Sequence, residues 1–589
     1  MLSYVAVSFS LANLAWAAPQ PLADAVNGSP AVTLDYATFR GTNNFLGVNS
    51  FLGMPFAKAG RLENPVVYNS SDKLAGVQDA TKYGKACPQQ EATATQFSSG
   101  NSQANAVLAA IEQVAFGPIS NQGEDCLTIN VQMPANVSST DNLPVLMWIF
   151  GGGFQLGSSA SLGAELTAIQ GLIYQGARLV QRSIEMGQPI IFVSANYRLN
   201  AFGTLASQEI TDANVSNLML KDQREAMRWV QKYIGQFGGD KSKVTIFGES
   251  AGSVSVATQM VLNGGDNEGL FRAAIMASGG ILKLQDYHRG QETFDFIAQK
   301  SGCGAATDKI ACLRTADYNL IYNAVQQVPN FFSYTGLAVP WEVRPDGKFL
   351  PASPHTLLRQ GKIANVPYII GDMKDEGTIF SLTPQSNMTT DQDFQAFWRT
   401  NYFPQLSGAQ VKAFTDLYSQ DPAQGSPFDT GDLNAIGPQH KRLAAAQGDY
   451  MFQSGRRDLL NYTYATQPAY TYLIEQSAYI IGQLAPFASL TGFPLVGSFH
   501  ASDVILNDFG LIPAAISKNT LNLMSTYISF VNTLDPNNHG LKDLPHWPTW
   551  DPQRKAMFKY NESGCSIIRD DYREEQMGFV NENADVYVS

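Results

Sequence analysis

The chain has 589 residues, 44% of them hydrophobic, and a formal net charge of −12. That composition supplies a large core, and the acidic balance argues against a nucleic-acid partner. No linker, low-complexity run or internal repeat divides it, so residues 18–589 read as one large domain behind a leader.

The leader is residues 1–17. Leu2 to Ala18 is apolar and uncharged, and Ala15-Trp16-Ala17 supplies an A-x-A site. Cleavage after Ala17 keeps Pro19 off the first mature position. The stretch is too short to span a bilayer and reads as a secretory signal peptide, although it lacks the usual Lys or Arg. No later run reaches spanning length without charges or turns, so a secreted, extracellular protein with no transmembrane segment is expected. Secretion predicts oxidised cysteines. Five are present, at 87, 126, 303, 312 and 565. Any four of them allow three connectivities. Sequons at Asn69, Asn136, Asn214, Asn387, Asn461 and Asn561 are candidate glycan sites, whereas Asn27 is a poor one because Pro30 follows its serine.

Residues 88–125 lie between the first two cysteines. Gln89 to Gln103 is polar and turn-like, and Ala104 to Phe116 predicts a helix with Val107, Leu108, Ile111, Val114 and Ala115 on one apolar face. Val145 to Phe150 predicts a buried strand running into Gly151-Gly152-Gly153-Phe154. Glycines there let backbone N–H groups of Gly152 and Gly153 face a substrate oxygen. Val244 to Phe247 predicts the next strand. Gly248-Glu249-Ser250-Ala251-Gly252 follows it, then a helix from Ser253 to Leu262. Strand, G-x-S-x-G, helix is the context of a nucleophile elbow. The turn is sharp and strained, the serine Oγ stands clear of the sheet, and a Cβ on either flanking glycine would clash. Ala251 offers a third N–H for an oxyanion.

Val366 to Ile370 predicts a strand whose following loop carries Asp372, Asp375 and Glu376. On residue type alone, any of the three is able to orient a histidine. The histidines are at 288, 355, 440, 500, 539 and 546. His500 ends the short apolar run from Leu495, which predicts a strand, and small residues follow it. That setting suits a base beside a serine. His539 and His546 flank turns near the C-terminus, and His288 and His355 sit among polar residues. No H-x-H or H-E-x-x-H spacing and no phosphate-loop or dinucleotide fingerprint occurs, so no metal or cofactor is expected.

Taken together, these motifs resemble the type-B carboxylesterase/lipase family, whose members include cholinesterases, bile-salt-type lipases and secreted fungal lipases and sterol esterases. The resemblance runs from about residue 30 to 580 and is nearest to the fungal branch between Ile190 and Ser255. It rests on Gly151 to Phe154, Ser194 to Arg198, Asp222 to Arg224, Phe237 to Asp240 and Gly248 to Ser253. Glu124 to Asn130, Gly53 to Ala57, Asp375 to Thr378, Phe530 to Thr533 and Asp535 to Asn537 also fit. The resemblance implies an α/β-hydrolase fold, a mixed and mostly parallel sheet flanked by helices. It selects Glu376 as the acid and His500, in its G-x-x-H-x-x-D setting, as the base. It implies disulfides Cys87–Cys126 and Cys303–Cys312, leaving Cys565 unpaired. It also implies structural ion pairs Arg61–Glu124 and Arg198–Asp222. Glu249 is expected behind the nucleophile, touching the site only indirectly.

The expected chemistry is ester hydrolysis through an acyl-enzyme on Ser250, with His500 as general base and Glu376 orienting it. For 88–125 two readings stand: a helix docked on the core, or a lid whose apolar face covers a hydrophobic site and meets a lipid surface. The lid favours long-chain acylglycerols or sterol esters. A soluble esterase for short or aromatic esters is the alternative. A non-catalytic cholinesterase-like binding protein is the reading from another class, disfavoured because Ser250, Glu376 and His500 are all present.

Overall fold

The computed structural model describes residues 25–26, 28–44, 46–92, 101–111, 119–160, 174, 176–477, 495–510 and 517–589. The leader and residues 112–116 of the helix expected between Cys87 and Cys126 lie outside them.

A large sheet organises the fold. Its strands are β1 (Thr42–Asn43), β2 (Val48–Pro55), β3 (Thr128–Pro134), β4 (Leu143–Ile149), β5 (Ile191–Ala195) and β6 (Gly239–Glu249). They continue with β7 (Ala273–Ala277), β8 (Tyr368–Met373), β9 (Ala469–Ile474), β10 (Ala556–Asn561) and β11 (Gly564–Arg569). In space the order is β11-β10-β9-β8-β7-β6-β4-β5-β3-β2-β1. From β10 to β5 all neighbours are parallel, and antiparallel pairs close both ends. The order reverses around β4, between β6 and β5, a position that opens a crevice at the strands' C-terminal ends.

The parallel strands are buried and mostly apolar along their central stretches, where helices cover the sheet, and β6 reaches solvent only in its first half. Every residue of β4 after Leu143 is buried, and Trp148 meets Phe247 of β6 with ring centroids 4.6 Å apart. The lid-candidate helix is α1 (Ser102–Ile111). Helix α2 (Gly176–Glu185) flanks β3 and β5, α3 (Leu218–Tyr233) packs with α4 (Ala251–Val261), and α4 lies against β6 and β7. After Glu376 the chain leaves the sheet and builds a second aromatic core. Phe394, Phe397, Trp398, Tyr402, Phe414 and Tyr450 are among its buried residues, and α5 (His440–Gly448) runs beside it. Helix α6 (Lys518–Thr533) then returns to pack on α2.

Both expected disulfides are present, Cys87–Cys126 and Cys303–Cys312, and Cys565 is a half-buried free thiol. The ion pairs are also in place. Arg61 meets Glu124 through both Nε and Nη2, and Arg198 grips Asp222 in the same way. Among the described residues no helix is long and apolar enough to cross a membrane. One expectation needs correcting. The run from Leu495 to His500 is not a strand; it makes a single bridge, Asp375 with Phe499, because Gly497 turns the backbone out of the β region at φ +62°.

Candidate active site

The site lies at the C-terminal ends of β4, β6 and β8. Strand β6 ends at Glu249, and Ser250 follows at φ +56°, ψ −125°, before α4 begins at Ala251. A β-carbon rarely tolerates that conformation, so the surroundings must impose it. They do: the Ser250 N–H donates to the Ala277 carbonyl at 2.9 Å, and its own carbonyl accepts from Val254. The glycines allow the close approach. A Cβ on Gly248 would stand 2.3 Å from Gly252, and one on Gly252 would stand 2.0 Å from the Ile149 carbonyl.

From Ser250 a continuous line of hydrogen bonds runs inward. Ser250 Oγ is 2.7 Å from His500 Nε2, and His500 Nδ1 is 2.6 Å from Glu376 Oε2. The other oxygen of Glu376 accepts the Met373 N–H at 2.7 Å, which fixes the carboxyl across the end of β8. Of its sequence rivals, Asp372 is engaged by Arg456, and Asp375 by Ser426, Phe428 and Ser498, so neither reaches the imidazole. Burial pushes His500 down to about 4, opposed by Asp503 and Asp372, which keeps the imidazole neutral and Nε2 able to accept a proton. Burial pushes Glu376 up to about 8, opposed by the Met373 N–H.

The glycine loop abuts the serine from β4. A Cβ on Gly151 would lie 2.8 Å from that of Ser250, so no larger residue fits. Gly152 and Gly153 follow at φ +103° and +63°. Against Gly153 stands Phe331, whose N–H donates to Gln155 Oε1. Phe331, Phe332, Phe380 and Phe452 form a chain of ring contacts that ends on the imidazole, with Phe452 4.6 Å from His500. Sequence reasoning missed these rings. Their one signal is the doublet Phe331-Phe332 after Pro329, and nothing local ties it to Phe380 or Phe452.

Glu249 differs from its expected place. It is fully buried, but its Oε1 lies 3.4 Å from His500 Nε2, so it touches the base directly. Neither of its oxygens has a hydrogen-bond partner among the described residues. Burial first, and then Asp503, Glu376 and Asp508, hold its pKa well above the usual carboxylate range.

Helix α1 begins two residues before the predicted start. Ala104, Val107 and Leu108 are buried in the main core, while Ser102, Ala106 and Ala109 face outward.

Residues 28–580 match the model of the carboxylesterase family. Lipase 2 of Diutina rugosa is 37% identical over 94% of this chain and 96% of its own length. A secreted triacylglycerol lipase of Gibberella zeae is 39% identical, covering 92% of this chain and 88% of its own. Among solved structures, EstA of Aspergillus niger superposes with a TM-score of 0.75 at 26% identity, over 96% of this chain and 100% of its own. The chain is therefore a carboxylic ester hydrolase with an α/β-hydrolase fold, and it belongs to the carboxylesterase family.

Proposed function

We propose that Ser250, His500 and Glu376 are the nucleophile, base and orienting acid of an acyl-enzyme mechanism. The observation that carries this is the unbroken line from Ser250 Oγ through the imidazole to Glu376, mounted on a strained turn. Neutral His500 takes the serine proton as Oγ attacks the ester carbonyl, and Glu376 holds the Nδ1–H tautomer. The N–H groups of Gly152, Gly153 and Ala251 receive the oxyanion, each worth about 3 kcal/mol in the transition state. His500 returns the proton to the leaving alcohol, and water repeats the attack on the acyl-enzyme.

For substrate we propose long-chain acylglycerols or sterol esters, with residues 88–125 as a lid that meets a lipid surface. The Cys87–Cys126 bond closing that segment, the inward apolar face of α1 and the aromatic run beside His500 support this, as do the lipase names of the relatives. We further propose that residues 18–589 act as one secreted domain after removal of residues 1–17. Two disulfides and relatives named as secreted lipases favour that reading. Asn136, Asn214, Asn387 and Asn461 are exposed and accessible for glycans, and Asn69 and Asn561 are half-exposed.

The test compares turnover of emulsified long-chain triglyceride and cholesteryl ester with a short soluble ester, using Ser250→Ala as control. Strong emulsion turnover, abolished in the variant, is expected. Turnover of the short ester alone would make the protein a soluble carboxylesterase, and activity surviving in Ser250→Ala would remove the site assignment.

A further inference from the structure

Asp375 precedes the triad acid and is 4% exposed, yet its carboxylate forms no ion pair among the described residues. Its Oδ1 accepts from Ser426 Oγ at 2.8 Å and from the Phe428 N–H at 2.9 Å. Its Oδ2 accepts from the Ser498 N–H at 3.1 Å, and its own N–H donates to the Ser498 carbonyl at 3.0 Å. A Cβ on Gly497 would stand 2.4 Å from Oδ2, so this side chain fills the turn just before His500. One carboxylate thus ties the loop bearing Glu376 to the loop bearing His500, and both to residues 425–437.

That third segment leads to the lid candidate. Lys441 Nζ braces it at Thr430 Oγ1 and the Gly431 carbonyl, both at 2.7 Å. Near its far end the Ile436 carbonyl accepts from Asn101 Nδ2, one residue before α1 begins. Each end of residues 425–437 is therefore held by a different part of the site: the triad loops at Ser426 and Phe428, the foot of α1 at Ile436.

We propose that Asp375 is a positioning residue that sets Glu376 and His500 in register and couples them to the segment on which the lid helix starts; this rests on the triad reading above. The chemistry requires a carboxylate. Three donors converge on two oxygens, and an asparagine would turn an NH2 toward one of them and leave a buried N–H unpaired. Asp375 also places a negative charge beside Glu376. The cations around it are Lys374 and Lys441, and the titratable groups facing His500 are Glu249, Glu376, Asp372 and Asp503.

The experiment is steady-state kinetics of Asp375→Asn and Ser426→Ala on a short soluble ester and on the longest-chain ester the parent hydrolyses. In Asp375→Asn, kcat on the short ester should fall roughly 10–100-fold with KM within about threefold, the scale expected when a base is displaced by a fraction of an ångström. The acid limb of its pH profile should move, because the Asp375 charge raises Glu376, the partner of His500 Nδ1, and its removal changes the charge that faces the imidazole. A kcat within about twofold of the parent, or a lowered kcat with the acid limb unmoved, overturns the proposal. Ser426→Ala keeps the Ser498 contact and weakens the link to 425–437, removing one of its two hydrogen bonds and leaving only the Phe428 N–H. It should lose at least about threefold more turnover on the long-chain ester than on the short one. Equal losses, or none, overturn the coupling, and this arm stands if Asp375→Asn fails to fold. Ser250→Ala separates the two readings: residual activity there removes the triad, whereas an inactive Ser250→Ala beside an unimpaired Asp375→Asn removes only the role of Asp375.

Discussion

Two groups of buried acids lie near the end of the central sheet, and they are solved in opposite ways. Around Arg456, which is fully buried, Asp372 accepts from Nε at 2.8 Å and Asp570 from Nη1 at 2.7 Å, while Arg457 adds a second guanidinium to Asp570. These cations hold Asp570 below the ordinary carboxylate range despite its burial, whereas burial outweighs the single Arg456 contact at Asp372 and pushes it up to about 7. Around the nucleophile, Glu249, Asp503 and Asp508 are equally buried, with no Lys or Arg paired to them among the described residues. Both oxygens of Glu249 and of Asp508, and one of Asp503, lack partners among the described residues. Burial and mutual repulsion raise all three. A buried ion network fixes structure. A cluster of buried acids without cations costs stability as pH rises, and its place beside His500 marks a site kept for chemistry rather than for packing.

The sharpest way to break the comparison is to remove its cation. Arg456→Met should leave Asp372 without its cation and Asp570 with Arg457 alone, and cost about 3–5 kcal/mol, read as a fall in the urea midpoint. Asp372 should lose most, since Arg457 still reaches Asp570. An unchanged midpoint would mean that the network contributes nothing beyond its volume.

Glu249→Gln should do the reverse. The native carboxyl has a folded pKa above its unfolded value near 4.5, so its contribution to stability is full below 4.5 and is lost as pH rises. While it stays protonated in the fold, each further pH unit costs the parent about 1.4 kcal/mol that glutamine does not pay. The Tm difference between Glu249→Gln and the parent should therefore grow from pH 5 to pH 8. Glutamine also copies the neutral acid, so kcat should change by less than about threefold. A large loss of kcat would show that Glu249 is ionised and stabilises the His500 imidazolium. In the same titration, the acid limb of kcat/KM should lie below 6.5, because burial lowers His500. A limb above 6.5 would mean that the surrounding carboxylates outweigh burial.

What the sequence made legible follows the same division. Local geometry is written locally. The elbow needed a strand, two glycines and a helix within about twenty residues, and the glycine loop needed β4 and three glycines, so Ser250, Gly152 and Gly153 are readable from Val145 to Leu262. The acid was not, because Asp372, Asp375 and Glu376 are equivalent by type. Only the family resemblance chose among them, and in the fold Arg456 and Ser426, some 80 and 50 residues further on, engage the rivals. The strand expected before His500 failed at Gly497, whose positive φ a hydrophobic run does not announce. The closeness of Glu249 to His500 and the aromatic run from Phe331 to Phe452 depend on chain crossings of 50 to 250 residues, which periodicity does not encode. Helix α1 shows the middle case. Its apolar face was visible, and what it covers depends on the rest of the molecule.

The smallest expected effect supplies the baseline for both clusters. Lys412 and Asp416 pair at 2.6 Å across one helical turn, with more than half of each side chain exposed. The geometry is as close as that of Arg456 with Asp570, but water screens both charges, and the lysine sits on the N-terminal side, the weaker order for such a pair. Lys412→Ala should change stability by no more than about 0.5 kcal/mol, less still at high salt. If urea midpoints showed a loss comparable to Arg456→Met, distance alone would govern these pairs and burial would not. The contrast between the paired and unpaired buried acids would then lose its physical basis, because it depends on charge being costly only where solvent is excluded.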